Sequence, residues 1–463
     1  MDPNQQAIFD AGNLFEKYAE QLFPGVVRLG FESGDYSSLP TRTKSELDNG
    51  TKVLAQGRFE VENITCICDV LVKVDENTFD LFETKSSTKA KPEHEFDLAF
   101  QTIVLEESGY KVRNISVIHI NNKYVRDGDI DPKQIAAVRD ITSKVREREA
   151  EVKGGVKKAL EVVSSPTIPD ISPSLARDTD ALNEWLPIYR SLTTVDPYSI
   201  YDLFYAGVDR LGKLEELAIK NLADIPEDFP LNDKQKLQVL TTRTGEEIIK
   251  KSEIKEFLSK LEFPLYFLDY ETLSSAIPYF DGLSPYQQVP FQYSLHILDS
   301  PGSNLRHATY LHTENLNPAQ AISKSLKENI GKKGTVIVWH ESFEKGCNRV
   351  LGSLAPEYKS FFEDINERIV DLKLPFANSW YVHKDFGGSA SIKDVLPVLV
   401  PELSYKDNDI SEGKTAQRLW MEAVLDGKHD GEKDKILKDL EKYCKLDTMA
   451  MVEIYKKLQN LNA

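Results

Sequence analysis

The sequence predicts an α/β protein with two domains joined by a helical connector. Short strand-like runs alternate with amphipathic helix-like runs at both ends of the chain, in residues 1–163 and 261–463. Between them, residues 182–260 follow a helical period that prolines interrupt, and residues 164–181 have the Ser, Pro and Asp content of a linker. The 463 residues, 41% of them apolar, can bury more than one core.

The first block begins with an amphipathic helix and several short strands. A helix is then predicted around 96–107, a strand at 112–120 and a charged helix through 144–158. In the connector, residues 199–226 place a glycine between two short amphipathic helices. They resemble helical modules that bind nucleic-acid backbones, and a structural spacer is the open alternative.

The second block predicts, in chain order, three strands, a helix, a strand and a helix, at 265–268, 290–298, 307–312, 318–329, 335–339 and from 342 onward. This order resembles an RNase H-like fold. The C-terminal block is therefore expected to be an RNase H-like domain.

Charge and composition narrow the functional classes. The formal net charge of −17 argues against a protein that coats nucleic acid by bulk electrostatics, but a nuclease can confine its basic contacts to one groove. No apolar run approaches the roughly 20 residues that span a bilayer, and the start of the chain lacks a signal-like apolar region. We therefore expect a cytoplasmic protein with no membrane partner. The four cysteines are too few and scattered for a disulfide framework, so reduced core thiols are expected.

Asp69 lies on one predicted strand, and Glu83-x-Lys85 ends the next strand after a turn. Residues two apart in a strand share a face, so Glu83 and Lys85 are expected side by side. Carboxylates can hold a hard cation such as Mg²⁺, and a lysine can position water or offset developing charge. Taken alone, Glu83-x-Lys85 is also compatible with an exposed ion pair on a strand edge.

Asp69, a hairpin and Glu83-x-Lys85 resemble the core of PD-(D/E)XK nucleases, and the next helix resembles the glutamine motif of RecB-like members at Gln101. The resemblance implies metal binding by Asp69 and Glu83, catalysis by Lys85 and substrate contact by Gln101. The first helix resembles that of the same family, which implies an additional metal contact at Glu16.

Two features depart from that RecB-like pattern. Leu105 stands where these proteins usually have a tyrosine four residues after the glutamine. Many relatives carry an iron–sulfur cluster held by cysteines after the nuclease core, but residues 172–185 contain no cysteine. We therefore expect no iron–sulfur cluster.

Two pairs of residues in the C-terminal block predict a second metal site. Asp269 and Glu271 end an apolar strand and share a face, where their repulsion is costly without bound cations. Tyr443 and Asp447 are four residues apart on the last helix, hence on one side of it. Such a set suits a two-metal centre, in which paired cations stabilise the attacking and leaving oxygens.

These pairs resemble the first and third motifs of DEDDy exonucleases, in which the tyrosine orients the attacking water. The middle motif is an acid on the helix after the fourth strand, and Phe343-Glu344 falls at that place with Glu instead of the usual Asp. Asp371, after a short strand, is the competing fourth acid. The resemblance implies that Asp269, Glu271, Glu344 and Asp447 hold two Mg²⁺ or Mn²⁺ ions.

The segment 386–397 adds Ser389 and Lys393 as candidate substrate contacts. Its Gly387-Gly388 pair could form a cradle of backbone amides for a phosphate, with Lys393 as the cation. A turn followed by a helix cap is an equally open interpretation.

The whole chain resembles a family of uncharacterised bacterial proteins that join a RecB-like nuclease to a DEDDy-type domain. This implies a metal-dependent nuclease, with 3′–5′ exonuclease activity in the C-terminal domain and a second nuclease site in the N-terminal one. DNA is favoured over RNA as substrate, and a protein partner that delivers substrate is a further expectation. The alternatives are an RNA exonuclease and a catalytically degenerate nucleic-acid-binding scaffold.

Overall fold

The computed structural model describes residues 2–30, 35–404 and 409–461. The chain divides into two compact units: unit 1 consists of residues 1–169 and 274–287, and unit 2 of residues 170–273 and 288–463. Each unit contains both helices and strands, which confirms the α/β class. Among the described residues, no helix combines the length and apolar character needed to cross a bilayer.

Unit 1 is built on a six-stranded sheet. Its strands are β1 (Val27–Arg28), β2 (Val53–Val61), β3 (Ile64–Lys73), β4 (Thr78–Lys85), β5 (Lys111–Ile120) and β6 (Ala136–Asp140). Its helices are α1 (Pro3–Glu20), α2 (Leu39–Asp48), α3 (Pro92–Glu107), α4 (Pro132–Ile135) and α5 (Thr142–Ser164).

The strands of unit 1 lie side by side in chain order. β2, β3 and β4 form an antiparallel meander, β5 runs parallel to β4, and β6 returns antiparallel to β5. A parallel neighbour requires a crossover, and α3 supplies it between β4 and β5. The helix and strand predicted at 96–107 and 112–120 are thus α3 and β5.

Both faces of this sheet are covered. Val117 of β5 packs in the cluster that contains Leu98 of α3 and Val145 of α5. Its neighbour Ile118 points to the other face, into the cluster that contains Phe15 of α1. The charged helix α5 thus buries Val145 and partly buries Val152 in this core, and α1 is amphipathic as predicted.

Residues 274–287 differ from the sequence interpretation, which placed them in the C-terminal block. Ala276 and Ile277 are buried in the same cluster as Phe15 of unit 1. The Arg126 guanidinium donates to the Pro278 carbonyl at 2.9 Å, and the Arg126 amide donates to the Leu283 carbonyl at 3.0 Å. Apolar patterning shows that such residues are buried but does not show which core accepts them.

Unit 2 contains a five-stranded sheet and a two-stranded one. Its strands are β7 (Ile248–Ile249), β8 (Leu265–Leu273), β9 (Val289–Leu298), β10 (Arg306–Leu311), β11 (Thr335–Val338), β12 (Ile369–Asp371) and β13 (Tyr381–Val382). Its helices are α6 (Thr179–Leu192), α7 (Val208–Glu216), α8 (Asp233–Thr244), α9 (Lys251–Ser259), α10 (Ala319–Asn329), α11 (Glu341–Leu354), α12 (Lys359–Glu367), α13 (Leu374–Ala377), α14 (Ile392–Leu399), α15 (Gly413–Trp420) and α16 (Lys433–Asn460).

The large sheet of unit 2 has the strand order β10-β9-β8-β11-β12. β8, β9 and β10 are antiparallel, whereas β11 runs parallel to both β8 and β12. Along β8, Leu265 and Phe267 enter one core, and Tyr266 and Leu268 enter the other. Because Asp269 follows Phe267 with the same alternation, it faces the side that α16 covers.

The predicted connector is part of unit 2. Its helices enclose a small core that includes Leu182, Leu211 and Leu222. β7 pairs with β13, and the Tyr381 hydroxyl donates to the Glu247 carboxylate at 2.8 Å. The segment predicted as a linker, 164–181, contains a 3-10 turn and the start of α6, so its second half is ordered against this core.

Candidate metal centres

Unit 2 gathers acidic side chains where β8 meets α16. A carboxylate oxygen of Asp269, a carboxylate oxygen of Glu271 and the Sγ atom of Cys444 all lie within 4.8 Å of one another. Asp269 and Glu271 come from one face of β8, and Cys444 comes from the core face of α16. Asp447, one helical turn later, is buried at 8% exposure. The predicted β8 and α16 acids are thus brought together.

These acids perturb one another strongly. Burial raises the pKa of Asp269 well above its usual value, and the charges of Asp447, Glu271 and Glu344 raise it further. Burial and Asp447 raise the pKa of Glu271 to about 8, against a smaller opposing effect of Lys393. Carboxylates held this close in a low-dielectric core repel one another, so they favour either taking up a proton or binding a cation.

Glu344 belongs to the same cluster. It lies in the first turn of α11 and is only 2% exposed. Burial raises its pKa to about 8, and Asp371 adds to the shift. Its Oε2 atom is buried and has no hydrogen-bond partner among the described residues. A buried carboxylate oxygen without a partner is costly, so this atom is suited to a ligand.

Asp371, the competing fourth acid, ends β12 next to Glu344. Its Oδ2 atom accepts the Glu341 amide at 3.1 Å, and its Oδ1 atom accepts the Lys373 amide at 2.9 Å. Asp371 therefore uses one oxygen on the start of α11 and the other on the turn before α13. Between the two candidates, Glu344 has the oxygen that still lacks a partner.

Tyr443 precedes Asp447 by one helical turn and is 4% exposed. Burial raises its pKa, and the charges of Asp447, Glu271 and Asp269 add to the shift. The hydroxyl therefore keeps its proton and can donate a hydrogen bond beside the carboxylates.

The two predicted substrate contacts in this block are placed differently. The Lys393 ammonium donates to the Ser411 carbonyl at 2.8 Å and acts electrostatically on Glu271. Ser389 accepts the Ser391 amide at 3.0 Å in the turn before α14, which fits the turn interpretation. A Cβ atom on Gly388 would lie 2.6 Å from the Phe204 Cβ atom, so close packing accounts for this glycine.

A set of polar residues on β9, not singled out by the sequence, fastens α16 above the acids. Gln292 is the cross-strand partner of Glu271, and its side chain donates to the Leu440 carbonyl at 3.0 Å. Thr448, next to Asp447, hydrogen-bonds Ser294 at 2.7 Å and His296 at 2.8 Å. These contacts determine where α16 places Tyr443 and Asp447.

Unit 1 forms its own cluster at the end of β4. The Lys85 ammonium lies 2.7 Å from the Glu83 carboxylate, and the Asp69 Oδ2 atom accepts the Thr84 amide at 2.8 Å. Burial raises the pKa of Asp69 well above its usual value, and Glu83 raises it further. The three predicted residues of this site are therefore neighbours.

The helix α3 contributes Gln101 and also Asp97, which sequence reasoning missed. The Gln101 amide donates to the Glu83 carboxylate at 2.9 Å and to Asp97 at 3.2 Å. Asp97 also accepts from the Lys85 ammonium at 2.8 Å. Burial alone would lower the pKa of Lys85, but Glu83 and Asp97 outweigh it and raise that pKa. The spacing of Asp97 and Gln101, one helical turn, was a usable signal.

Glu16 reaches this cluster through Gln56, a second missed residue. The Gln56 amide donates to Asp69 at 3.0 Å and also to Glu16. Gln56 lies in β2 with φ of 58°, a left-handed conformation that costs energy in a non-glycine residue. Arg28 pairs with Glu16 at 3.2 Å. No sequence pattern around Gln56 indicated this bridge.

The donor atoms of both clusters suit a hard divalent cation. Carboxylate oxygens dominate, as Mg²⁺ and Mn²⁺ prefer. Burial and the nearby acids raise the pKa of Cys444, and a hard cation prefers the carboxylate oxygens to its sulfur. The residues that could hold a cation are Asp269, Glu271, Glu344 and Asp447 in unit 2, and Asp69, Glu83 and Glu16 in unit 1.

A comparison of the sequence with known protein families covers part of the acidic cluster of unit 2. Residues 266–391 match the model of a domain of unknown function (DUF2779). The matched segment contains Asp269, Glu271 and Glu344 and ends before Tyr443 and Asp447. No solved structure matches the chain at a significant level.

Mycoplasma and Ureaplasma proteins are distantly similar. The uncharacterized protein MG366 of Mycoplasma genitalium is 27% identical over 230 residues, which are 45% of this chain and 34% of that protein. Its homolog in Mycoplasma pneumoniae is 26% identical over 220 residues, 44% of this chain and 33% of that protein. The uncharacterized protein UU173 of Ureaplasma parvum is 24% identical over 290 residues, 54% of this chain and 40% of that protein. The matches thus span 33–40% of these relatives' length.

Proposed function

We propose that the protein is a metal-dependent nuclease that hydrolyses phosphodiester bonds, with 3′–5′ exonuclease chemistry in unit 2. One observation carries the proposal: buried carboxyl groups of β8 and α11, whose pKa values are strongly raised, converge with the buried Asp447 of α16. Such perturbed and mutually repelling acids are typical of functional sites.

Each side chain has a defined task in this proposal. Asp269, Glu271, Glu344 and Asp447 hold the cations, and the protonated Tyr443 hydroxyl orients the attacking water by a hydrogen bond. Bound Mg²⁺ or Mn²⁺ would polarise the phosphate and lower the pKa of that water. Gln292 and Thr448 keep α16 in register so that Asp447 stays opposite Asp269.

The element order supports the two domain types. The order β10-β9-β8-β11-β12, with three antiparallel strands and two parallel additions, resembles an RNase H-like sheet. In unit 1, a helix, an antiparallel meander, a crossover helix and a parallel strand resemble a PD-(D/E)XK core. Similarity of fold supports an activity only by analogy, so the proposal rests on the side chains of the two sites.

In unit 1 we propose a second nuclease site, in which Asp69 and Glu83 hold a cation and Lys85 acts on the water or the developing charge. Gln101 orients Glu83, and Gln56 links Asp69 to Glu16. One contact favours a second candidate for this unit, nucleic-acid binding without cleavage. The Lys85 ammonium already pairs with Glu83 and Asp97, which neutralises a carboxylate that would hold the cation.

A cleavage assay tests these proposals. Labelled single-stranded and double-stranded DNA and RNA are incubated with Mg²⁺ or Mn²⁺ and wild type, Asp269→Asn or Glu83→Gln. Trimming from the 3′ end should fall on the order of 100-fold or more in Asp269→Asn. The matched control is Glu441→Gln, which changes an exposed acid on α16 and should cut like wild type.

Undiminished trimming by folded Asp269→Asn would remove the unit 2 proposal. In unit 1, internal cleavage lost in Glu83→Gln but kept in Glu107→Gln, an exposed acid on α3, supports a second nuclease site. Nucleic acid bound equally by wild type and Glu83→Gln, with no cleavage assignable to unit 1, would favour the binding function.

A further inference from the structure

A basic pocket of about 480 Å³ opens at the start of α11. Its lining includes His340, Lys345 and Arg349 of the α11 region and Lys373 after β12, together with the acids Glu341 and Asp371. Volumes of this size are typical of sites for small ligands or ligand groups. We call it the α11 pocket.

The charges in the α11 pocket are incompletely neutralised by the protein. Lys345 pairs with Glu341, and Asp371 uses both carboxylate oxygens on backbone amides. Within the part of the chain that the structure describes, neither Arg349 nor Lys373 forms an ion pair within 4.0 Å. Lys373 acts electrostatically on Asp371 without a direct ion pair, so Arg349 and Lys373 together present positive charge to an anionic ligand on a chain of net charge −17.

The pocket adjoins the acidic cluster through α11. Lys345 directly follows Glu344, and Arg349 lies five residues after Glu344 on the same helix. At about 1.5 Å of rise per residue, both lie within roughly two turns of Glu344. Asp371 links the two sites from β12, since it accepts the Glu341 amide and raises the pKa of Glu344.

We propose that the α11 pocket binds backbone phosphates of a polynucleotide strand whose end lies at the acidic cluster. The guanidinium of Arg349 can grip two phosphate oxygens at once, and Lys373 adds a compact positive charge. Phosphate contacts position a strand without reading its sequence. This inference rests on the proposed nuclease function, since it assigns the anion to the substrate of the unit 2 site.

The test measures binding of fluorescein-labelled dT12 by anisotropy, in EDTA, so that neither cleavage nor added cation contributes. The variant Arg349→Ala/Lys373→Ala leaves the Lys345–Glu341 pair and all four acids intact. We expect about tenfold weaker binding at low salt and a salt slope, in log K against log concentration, smaller by about 1.4 for two lost contacts. The matched control is Lys324→Ala/Lys332→Ala, which removes two exposed lysines outside the pocket and should behave like wild type.

Three results would overturn the inference: no dT12 binding by wild type, an unchanged slope and affinity in the pocket variant, or an equal loss in the control. Mn²⁺ titration of the same variants separates this outcome from that of the nuclease proposal. The pocket variant should bind Mn²⁺ as wild type does, whereas Asp269→Asn should lose the Mn²⁺ binding of the unit 2 cluster. If the pocket variant lost dT12 binding but wild type cleaved no nucleic acid, phosphate binding by the α11 pocket would be supported and the nuclease proposal would be contradicted.

Discussion

At the scale of single residues, three side chains belong to the acidic clusters although no sequence motif predicted them. Gln56 of β2 and Cys444 of α16 each contact an acid on another element, and Asp97 of α3 accepts from Lys85 of β4. These contacts between elements depend on packing, so local spacing does not encode them, although the one-turn spacing of Asp97 and Gln101 on α3 was a local signal. The sequence predicts Cys444 only as a reduced core thiol, and it is fully buried as well as adjacent to Asp269.

Buried His296 should make the folding stability of the protein depend on pH. Burial lowers its pKa to about 3, and the positive charges of His307, Lys445 and Lys456 contribute. The unfolded chain binds this proton near pH 6.5 while the folded chain does not, so folding stability is lost as pH falls from about 6.5 towards 3. We expect a loss on the order of 1 kcal/mol between pH 6.5 and 5.5 from this group.

Chemical denaturation of wild type and His296→Gln at several pH values checks this prediction. The variant lacks the titrating ring, so its stability should change less between pH 7.5 and 5.5 than that of wild type. An identical pH dependence in the two proteins would show that His296 is not the source.

At the scale of elements, most predicted helices and strands are confirmed with shifts of one or two residues. The helix expected at 318–329 is α10, Ala319–Asn329, and the strand expected at 335–339 is β11, Thr335–Val338. Hydrophobic periodicity works here because each element has a definite buried face. The segment 274–287 could not be assigned in this way, because its partner is remote in sequence.

Gly334 carries an element-scale prediction about the start of β11. Its φ is +94°, and an added Cβ atom would lie 2.1 Å from the Pro264 carbonyl oxygen. Gly334→Ala should therefore displace backbone where β11 meets β8. The control is Gly302→Ala, at φ of +76° with open space around it.

The control should lose about 1 kcal/mol through its left-handed conformation alone. Gly334→Ala should lose at least ~2 kcal/mol more, because the clash adds to the conformational cost. Urea denaturation of both variants gives the comparison. Equal losses would show that β11 moves aside at no cost.

At the scale of the whole molecule, the two acidic clusters belong to units with separate cores. Residues without shared partners act additively on stability and binding. Glu83→Gln should therefore remove Mn²⁺ binding in unit 1 and leave unit 2 unchanged, and Asp269→Asn should do the reverse.

Calorimetric titration of Mn²⁺ into the two single variants and the double variant checks this prediction. Each single variant should retain the binding isotherm of the other cluster, and the double variant should lose both. Binding that disappears entirely in either single variant would contradict independent centres.

The sequence by itself determined which site residues lie on the same face of one element. Asp269 with Glu271, Tyr443 with Asp447, and Glu83 with Lys85 share a face because strand and helix periods dictate it. Only the tertiary structure decided how these pairs meet: which of Glu344 and Asp371 keeps an unpartnered oxygen, and which core accepts residues 274–287. The physical reason is that backbone geometry repeats over a few residues, whereas packing joins side chains far apart in the chain.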